Sequence, residues 1–480
     1  MKSTLIVGLE IHVQLDTRTK MFCGCSVEFG APPNSRTCPV CLGLPGALPA
    51  MNKTAFEHSV LTALALNCKI AKFTKWDRKS YYYPDMPKNY QISQYDLPLG
   101  SEGYMHIETE KGETKKIRIR RVHLEEDAGK NIHDADNFSK VDFNRAGTPL
   151  LEIVTEPDLS SGAEVKATAM ELQRIVRYLG ISQGDMQKGH MRFEPNINLS
   201  VQENKTPIVE VKNLNSFRAL EKSVDYEARR QLDEFYANGI TMKQGGKSTR
   251  GWDDEKERTV MQREKEEAEE YRYFPDPDLV PVVVDDDWLA EIRSRLCELP
   301  LYRRTRYVNE YDLGDYDVGV ITAQRPLSDY FDAAVAAGGN PKRLCNLITQ
   351  AGQNISRRRE CSFIELGITT EHIVELARMA DSGDINATAA DRILEELADT
   401  DESPRSIAER LGLIQTSDSG QLEAIIEEVI AENADAVATA GSEDKKADKA
   451  FGFLMGQVMQ KSKGTANPGI ASKLLKEKLG

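Results

Sequence analysis

Leu5, Val7, Leu9, Ile11, Val13 and Leu15 alternate with Ile6, Gly8, Glu10, His12, Gln14 and Asp16. A period of two predicts a strand with one buried face. Its other face sets a carboxylate and an imidazole two residues apart, in register, beside a glycine that leaves room next to them. The theme recurs over 116–124, 149–155, 193–201 and 207–213. In the first of these, Ile117 and Ile119 alternate with Arg118 and Arg120. The Arg120-Arg121 pair then breaks the count, as a bulge does. Beyond it Val122 and Leu124 take the apolar face, while His123 and Glu125 point away. Phe193, Pro195, Ile197, Leu199 and Val201 oppose Glu194, Asn196, Asn198 and Ser200, and Glu210 and Lys212 oppose Val209 and Val211. Glu152 sits inside the otherwise apolar run Leu150, Leu151, Ile153, Val154, where a buried carboxylate needs a partner.

Helical periodicity interrupts these strands. Residues 51–67 are apolar and short, which predicts a buried helix. Val165, Ala169, Leu172, Val176 and Leu179 form one stripe, with Ser161 as cap and Gly180 as stop. Phe217, Leu220, Val224, Ala228, Leu232 and Phe235 form another, ended by Gly239. Strands and helices do not alternate as βαβ units, so the fold class is α+β: an antiparallel-sheet cradle domain, followed by an all-α helical domain and a small α-helical tail domain. The parts are expected at 1–290, 291–412 and 413–480. Residues 439–449 read as a hinge before the basic end.

Composition narrows the function classes. With 480 residues, 40% hydrophobic and 29% charged, the chain is long enough for two to four domains. No apolar run reaches the ~18 residues of a membrane span, and the N-terminus is not a secretory signal, so a cytoplasmic protein is expected. The net charge of −14 is uneven: residues from Asp285 onward carry 34 acids and 23 bases. An acidic chain opposes general DNA binding, but Lys445–Gly480 holds eight lysines and two acids, a local basic patch.

If the strands form one sheet, its polar surface gathers Glu10, His12, Glu125, Glu194 and Glu210 with Lys212 between them. Carboxylates gathered this way repel unless a cation sits among them. Carboxylates with an imidazole suit Mg²⁺ or Mn²⁺, completed by water or phosphate oxygens. Nearby, Cys23, Cys25, Cys38 and Cys41 read Cys-x-Cys, twelve residues, Cys-x-x-Cys, the spacing of a closed four-thiolate zinc site with a structural role. Cys68, Cys297, Cys345 and Cys361 are scattered and show no nucleophile signature. Gly246-Lys247-Ser248 ends like a phosphate loop, but Thr241 stands where that motif needs glycine, and a mobile surface loop is expected.

The stretches VGLEIHVQLDTRTKMFC, DRKSYYYPDMPKNYQISQYDLPLG, VHLEEDAGK, VDFNRAGTPLLEIVTEPD, EVKNLNSF and YRYFPDPDLVP together resemble the B-subunit family of tRNA-dependent aspartyl/glutamyl amidotransferases, in that family's order. The archaeal E-type relative shares several of them but is longer, with an inserted domain. The resemblance implies a ligase that uses ATP to phosphorylate the side-chain carboxylate of glutamyl-tRNA(Gln) or aspartyl-tRNA(Asn). Ammonia then displaces the phosphate. The implied partners are an amidase-type glutaminase, a small third protein that clamps the two, and mischarged tRNA; DNA and membrane are not. By similarity, His12, Glu125 and Glu152 are magnesium ligands, with Glu10 and Glu126 close by. Strand parity favours Glu125, although the bulge leaves Glu126 open. Lys79 and Lys88 become candidates for phosphate or tunnel contacts. Glu210 and Lys212 are substrate or ATP-binding candidates, and the lysine-rich tail matches a tRNA-contacting end. Two other classes compete: a non-catalytic tRNA-binding zinc scaffold, and a stand-alone metal-dependent hydrolase.

Overall fold

The computed structural model describes residues 3–133, 138–264, 271–415, 419–440, 447–462 and 466–479. Two compact units divide at Tyr302/Arg303, about a dozen residues beyond the boundary expected at 290.

The first unit is built on a ten-stranded sheet. At its centre runs Ser3–Gln14, paired antiparallel on one side with Pro149–Thr155 and on the other with Met191–Val201. Outward from Pro149–Thr155 lie Thr114–Glu126, Gly100–Glu108 and Lys69–Ile70. Outward from Met191–Val201 lie Val209–Lys212, Ser248–Asp253 and Arg258–Glu264, with Asn204–Lys205 pairing the end of Met191–Val201. All pairs but one are antiparallel. Val209–Lys212 and Ser248–Asp253 run parallel, so the sheet is mixed at that edge. The expected bulge is present: Val154 pairs with Arg121 and Thr155 with Ile119, leaving Arg120 as the extra residue.

The central strand follows its sequence pattern. Val7, Leu9, Ile11, Val13 and Leu15 are buried, and they join a core with the helices Lys53–Ala65, Gly162–Tyr178 and Phe217–Asn238. The caps also follow. Ser161 accepts from the Glu164 amide, Ser216 from the Ala219 amide, and Gly239 ends the third helix at φ +68°. A Cβ at Gly8 would lie 3.7 Å from Pro157 Cα and from the Thr155 carbonyl oxygen, ordinary contact distances.

The third helix departs from its apolar periodicity. Beyond Val224 its buried positions are Glu227 and Gln231, not Ala228, Leu232 and Phe235. Glu227 is fully buried and ion-pairs with Arg230 at 2.8 Å and Arg250 at 3.3 Å. It also accepts from the Thr259 hydroxyl. Gln231 donates to the Ile197 carbonyl at 3.2 Å and accepts from Thr206 at 2.6 Å. A polar network, not hydrophobic contact, therefore fastens this end of the helix to the sheet edge.

The second unit is helical and holds two hydrophobic cores. One collects side chains from Tyr307 to Ala408, the other from Leu422 to Leu475. Part of the expected hinge, 441–446, and Lys445, Lys446 and Lys463 of the basic end lie outside the described residues. Among the described residues no helix is long and apolar enough to cross a membrane.

Removing one member of a buried ion-pair network costs about 3–5 kcal/mol, because its partners are left uncompensated. Glu227→Ala should lower the stability of the full chain by that order, and Glu227→Gln by less. Denaturant titration followed by tryptophan emission checks this; equal stability of Glu227→Ala and wild type would contradict the network's role.

Candidate active site and cysteine cluster

Antiparallel register decides which charges meet. His12 pairs with Glu152 on one side and Arg192 on the other, and Glu152 pairs in turn with His123. One row across the sheet thus reads Arg192, His12, Glu152, His123. In the next rows Glu10 faces Glu194, and Leu150 faces Glu125. Directly opposed residues share a face, so the polar positions of strands far apart in sequence converge.

They line a cavity of about 470 Å³. Glu10, His12, Glu125, Glu152, Lys79, Glu210 and Lys212, all expected from the sequence, lie on its wall. So does Glu194, expected on the same polar surface, and so do His123, Arg121, Asp127, Arg192, Lys247, Arg263, Tyr271 and Tyr273, to which the sequence alone assigns no role. His123 is within reach of the pattern, because it stands two residues before Glu125 on the same face. Arg192 shares the parity of Glu194, but it precedes the strand read at 193–201, and only long-range register sets it beside His12. Lys247 is expected in a mobile loop, but it directly precedes the Ser248–Asp253 strand, whose parallel pairing carries it to the cavity.

His12 Nε2 lies 3.6 Å from Glu125 Oε1, 3.6 Å from Glu152 Oε2 and 3.8 Å from Glu10 Oε1. Burial alone would lower its pKa, yet the hydrogen bond with Glu152 and the charges of Glu194, Glu152 and Glu125 raise it to about 9. Burial and the adjacent Glu152 charge push the Glu125 carboxyl up to about 7. Glu152 moves the other way: burial opposes its ionisation, but His123, His12 and Arg121 hold it well below the usual carboxylate range. Burial takes His123 down to about 4. The carboxylate field that stabilises a proton on His12 would equally favour a divalent cation.

Donor atoms of His12, Glu125 and Glu152 all lie within 4.8 Å of one another, as do those of Glu10, His12 and Glu194. Oxygen donors with one imidazole fit Mg²⁺ or Mn²⁺. Cations ring this centre. Burial works against the Lys79 ammonium, but Tyr273, Glu125 and Glu152 raise its pKa above the usual lysine value. Arg192 pairs with Asp127 at 3.0 Å, and Lys212 with Glu194 at 2.7 Å. Tyr271 stacks under the Lys79 ammonium at 4.7 Å, and Tyr273 packs against Tyr95 with ring centroids 4.0 Å apart.

Glu126 and Lys88 do not join this group. Parity puts Glu126 on the face opposite Glu125, where its carboxylate pairs with Lys88 and accepts the Ile92 amide at 3.0 Å. The hairpin of Asp77–Ser80 with Tyr90–Ser93 alternates likewise. Lys79, Gln91 and Ser93 face the large cavity, whereas Arg78, Lys88, Tyr90 and Ile92 face a second one of about 260 Å³.

That second cavity is closed by the cysteine loop. Sγ atoms of Cys23, Cys25, Cys38 and Cys41 lie within 4.8 Å of one another, and none is in a disulfide. The Lys20 amide donates to the Cys25 carbonyl at 2.9 Å, and the Cys38 amide donates to Cys41 Sγ at 3.2 Å. Hydrogen bonding with Cys23 draws the Cys41 thiol down to about 4 against its burial, helped by the Cys38 amide and the Lys20 charge. Four convergent thiols, one already favouring thiolate, fit a tetrahedral zinc ion. Asn34 and Arg36 tie the loop to the sheet side: the Asn34 amide donates to Asp142 at 2.9 Å and the Arg36 amide to Asn144 at 2.7 Å.

Comparison with known proteins agrees with this architecture. Residues 5–290 match the family described as the GatB/GatE catalytic domain, and 329–479 match the GatB domain. The chain is 44% identical over 482 residues to the B subunit of the aspartyl/glutamyl-tRNA(Asn/Gln) amidotransferase from Carboxydothermus hydrogenoformans, covering 99% of this chain and 98% of that protein. It is 46% identical over 483 residues to the protein of the same name from Rhodopirellula baltica, covering 98% and 96%. The chain belongs to the B-subunit family of the aspartyl/glutamyl-tRNA(Asn/Gln) amidotransferases.

Proposed function

We propose that this chain is the synthetase half of a tRNA-dependent amidotransferase, acting in the cytoplasm on the side-chain carboxylate of glutamyl-tRNA(Gln), aspartyl-tRNA(Asn) or both. A carboxylate is a poor electrophile, so ATP first converts it to an acyl phosphate, and ammonia then displaces the phosphate to leave the amide. The chain itself shows no glutaminase signature. Ammonia is therefore supplied by an amidase-type glutaminase partner, held in place by a small clamp protein.

The observation that carries this reading is the placement of His12 among Glu10, Glu125 and Glu152 at 3.6–3.8 Å on the wall of a cavity ringed by cations. Phosphoryl transfer asks a protein for positioning and charge neutralisation more than for covalent help. His12, Glu125 and Glu152 would hold magnesium, which supplies Lewis-acid charge neutralisation at phosphate oxygens. Lys79, Arg121, Arg192 and Lys212 orient the anionic groups of nucleotide and substrate. Glu10 and Glu210 keep these cations in place, and the tyrosine wall excludes water from the reacting carboxylate. Lys88 and Glu126 belong to the neighbouring cavity and support the strand that carries Glu125. Lys473 and Lys476, one turn apart on the helix Pro468–Leu479, contribute to a basic patch that contacts tRNA by shape.

Reconstitution with the glutaminase and clamp partners tests the assignment. His12→Ala and Glu125→Ala should each lower ATP-driven amide formation on mischarged tRNA by ~10²–10⁴-fold, the scale of losing metal-assisted charge stabilisation. Glutamine hydrolysis by the partner should persist. Full amidation by both variants would falsify the site.

The cysteine cluster is read as structural zinc. Elemental analysis of the purified chain should find about one zinc per molecule, absent in Cys38→Ser. Because the ligands must be thiolates, metal should be released as pH falls, and limited proteolysis should then cut within residues 22–50. Protease resistance unchanged after chelation would argue against that role.

A further inference from the structure

Lys20 is a lysine with 0% exposure, buried deeper than any lysine normally is unless an anion accompanies it. Its aliphatic stem runs beside Gly147, where a Cβ would approach Lys20 Cδ to 3.4 Å. Its ammonium reaches the Phe143 carbonyl oxygen at 3.2 Å and Cys41 Sγ at 3.6 Å. Among the described residues no carboxylate lies within 4.0 Å of it. Glu126, in the same cavity wall, pairs with Lys88 instead.

A carbonyl dipole and a neutral thiol do not offset a buried ammonium, but a thiolate does. The cysteine cluster has the complementary difficulty. Four thiolates around one zinc carry a net charge of about −2, which also needs compensation in a partly buried loop. The two groups adjoin, and each supplies what the other lacks.

We propose that Lys20 is the charge-compensating outer partner of the four-thiolate site. Its ammonium donates an N–H···S hydrogen bond to Cys41 and so sets how tightly the metal is held. Lys20 is thus a positioning residue for the metal site, not a ligand. The proposal rests on the zinc reading above. It also gives the cluster a direction: Cys41 is the sulfur shielded by both the Cys38 amide and the Lys20 ammonium, so its bond to metal should be the last to break.

The test uses the full chain, loaded with zinc, in four forms: wild type, Lys20→Met, Lys20→Gln and Lys20→Arg. Lys20→Gln removes the charge while still able to satisfy the Phe143 carbonyl, so it carries the test where Lys20→Met fails to fold. Zinc transfer to a chromophoric chelator is followed over time. Loss of an outer-shell partner typically costs about 10–100-fold in metal affinity, and transfer from the two neutral variants should be faster by about that factor. Lys20→Arg should stay close to wild type. In the cobalt-substituted protein, the thiolate-to-cobalt absorption band should shift in the neutral variants and not in Lys20→Arg, a readout that a purely structural packing role would not move.

The two readings fail differently. Wild type that binds no zinc overturns the metal site itself, and this proposal with it. Wild type that binds zinc, with neutral variants that release it at the same rate and leave the cobalt band unmoved, overturns Lys20's role alone.

Discussion

The rest of the first unit depends on the register of one strand. Ser3–Gln14 is hydrogen-bonded on both sides, and the pairing of His12 with Glu152 and with Arg192 fixes every charge on the polar face. A slip of one residue would exchange that face for Leu9, Ile11 and Val13. The slip is forbidden by the buried side, where those residues close the main core. Hydrophobic burial therefore underwrites the electrostatics: the apolar face sets the register, and the register sets which carboxylates surround the imidazole. The bulge at Arg120 serves the same end on the neighbouring strand. Absorbing one residue, it restores Val122 and Leu124 to the core face and leaves His123 and Glu125 on the cavity face.

Much of this is legible from alternation alone. The parity of Glu10, His12, Glu125, Glu210 and Lys212 can be counted along each strand, and the doubled arginine announces the bulge. Helix caps are equally plain, since Ser161 and Gly239 carry their own local chemistry. What stays hidden depends on contacts distant in sequence. The cavity needs the strand order, which no single strand encodes, so Tyr273 has no local signal and the neighbours of Arg192 cannot be counted along its own strand. The surroundings of Lys247 lack a phosphate-loop pattern, yet a parallel edge pairing carries it to the cavity. The third helix misleads for a different reason. Its later buried face is Glu227 and Gln231, and apolar periodicity cannot find a stripe made of polar groups that satisfy one another.

Alternation also explains why Glu125 and Glu126, adjacent in sequence, sit in different surroundings. Each is more than nine-tenths buried, but they point to opposite sides of the sheet. Glu125 meets His12 and a second carboxylate, and its carboxyl rises to about 7. Glu126 meets Lys88 and a backbone amide on the side of the cysteine loop. One strand end thus separates two cavities with opposite demands. The larger gathers the carboxylates of Glu10, Glu125 and Glu152 around the His12 imidazole. The smaller pairs Lys88 with Glu126 and Arg78 with Asp278.

The buried lysines sharpen this division. Lys88 has a carboxylate and Lys20 does not. Elsewhere in that cavity wall Arg78 pairs with Asp276 at 2.6 Å and Asp278 at 2.9 Å, so Lys20 is the buried cation there whose nearest side-chain partner is a sulfur. Cys23 and Cys41 line the same cavity, and as thiolates they would offset that ammonium. Under the zinc reading proposed above, the four sulfurs, which lie within 4.8 Å of one another, would be ionised around the metal and would offset the Lys20 ammonium. The loop that follows the central strand is then pinned by the same electrostatic logic that organises the face of the strand itself: each cluster of one sign persists because the fold delivers the opposite sign to the same place.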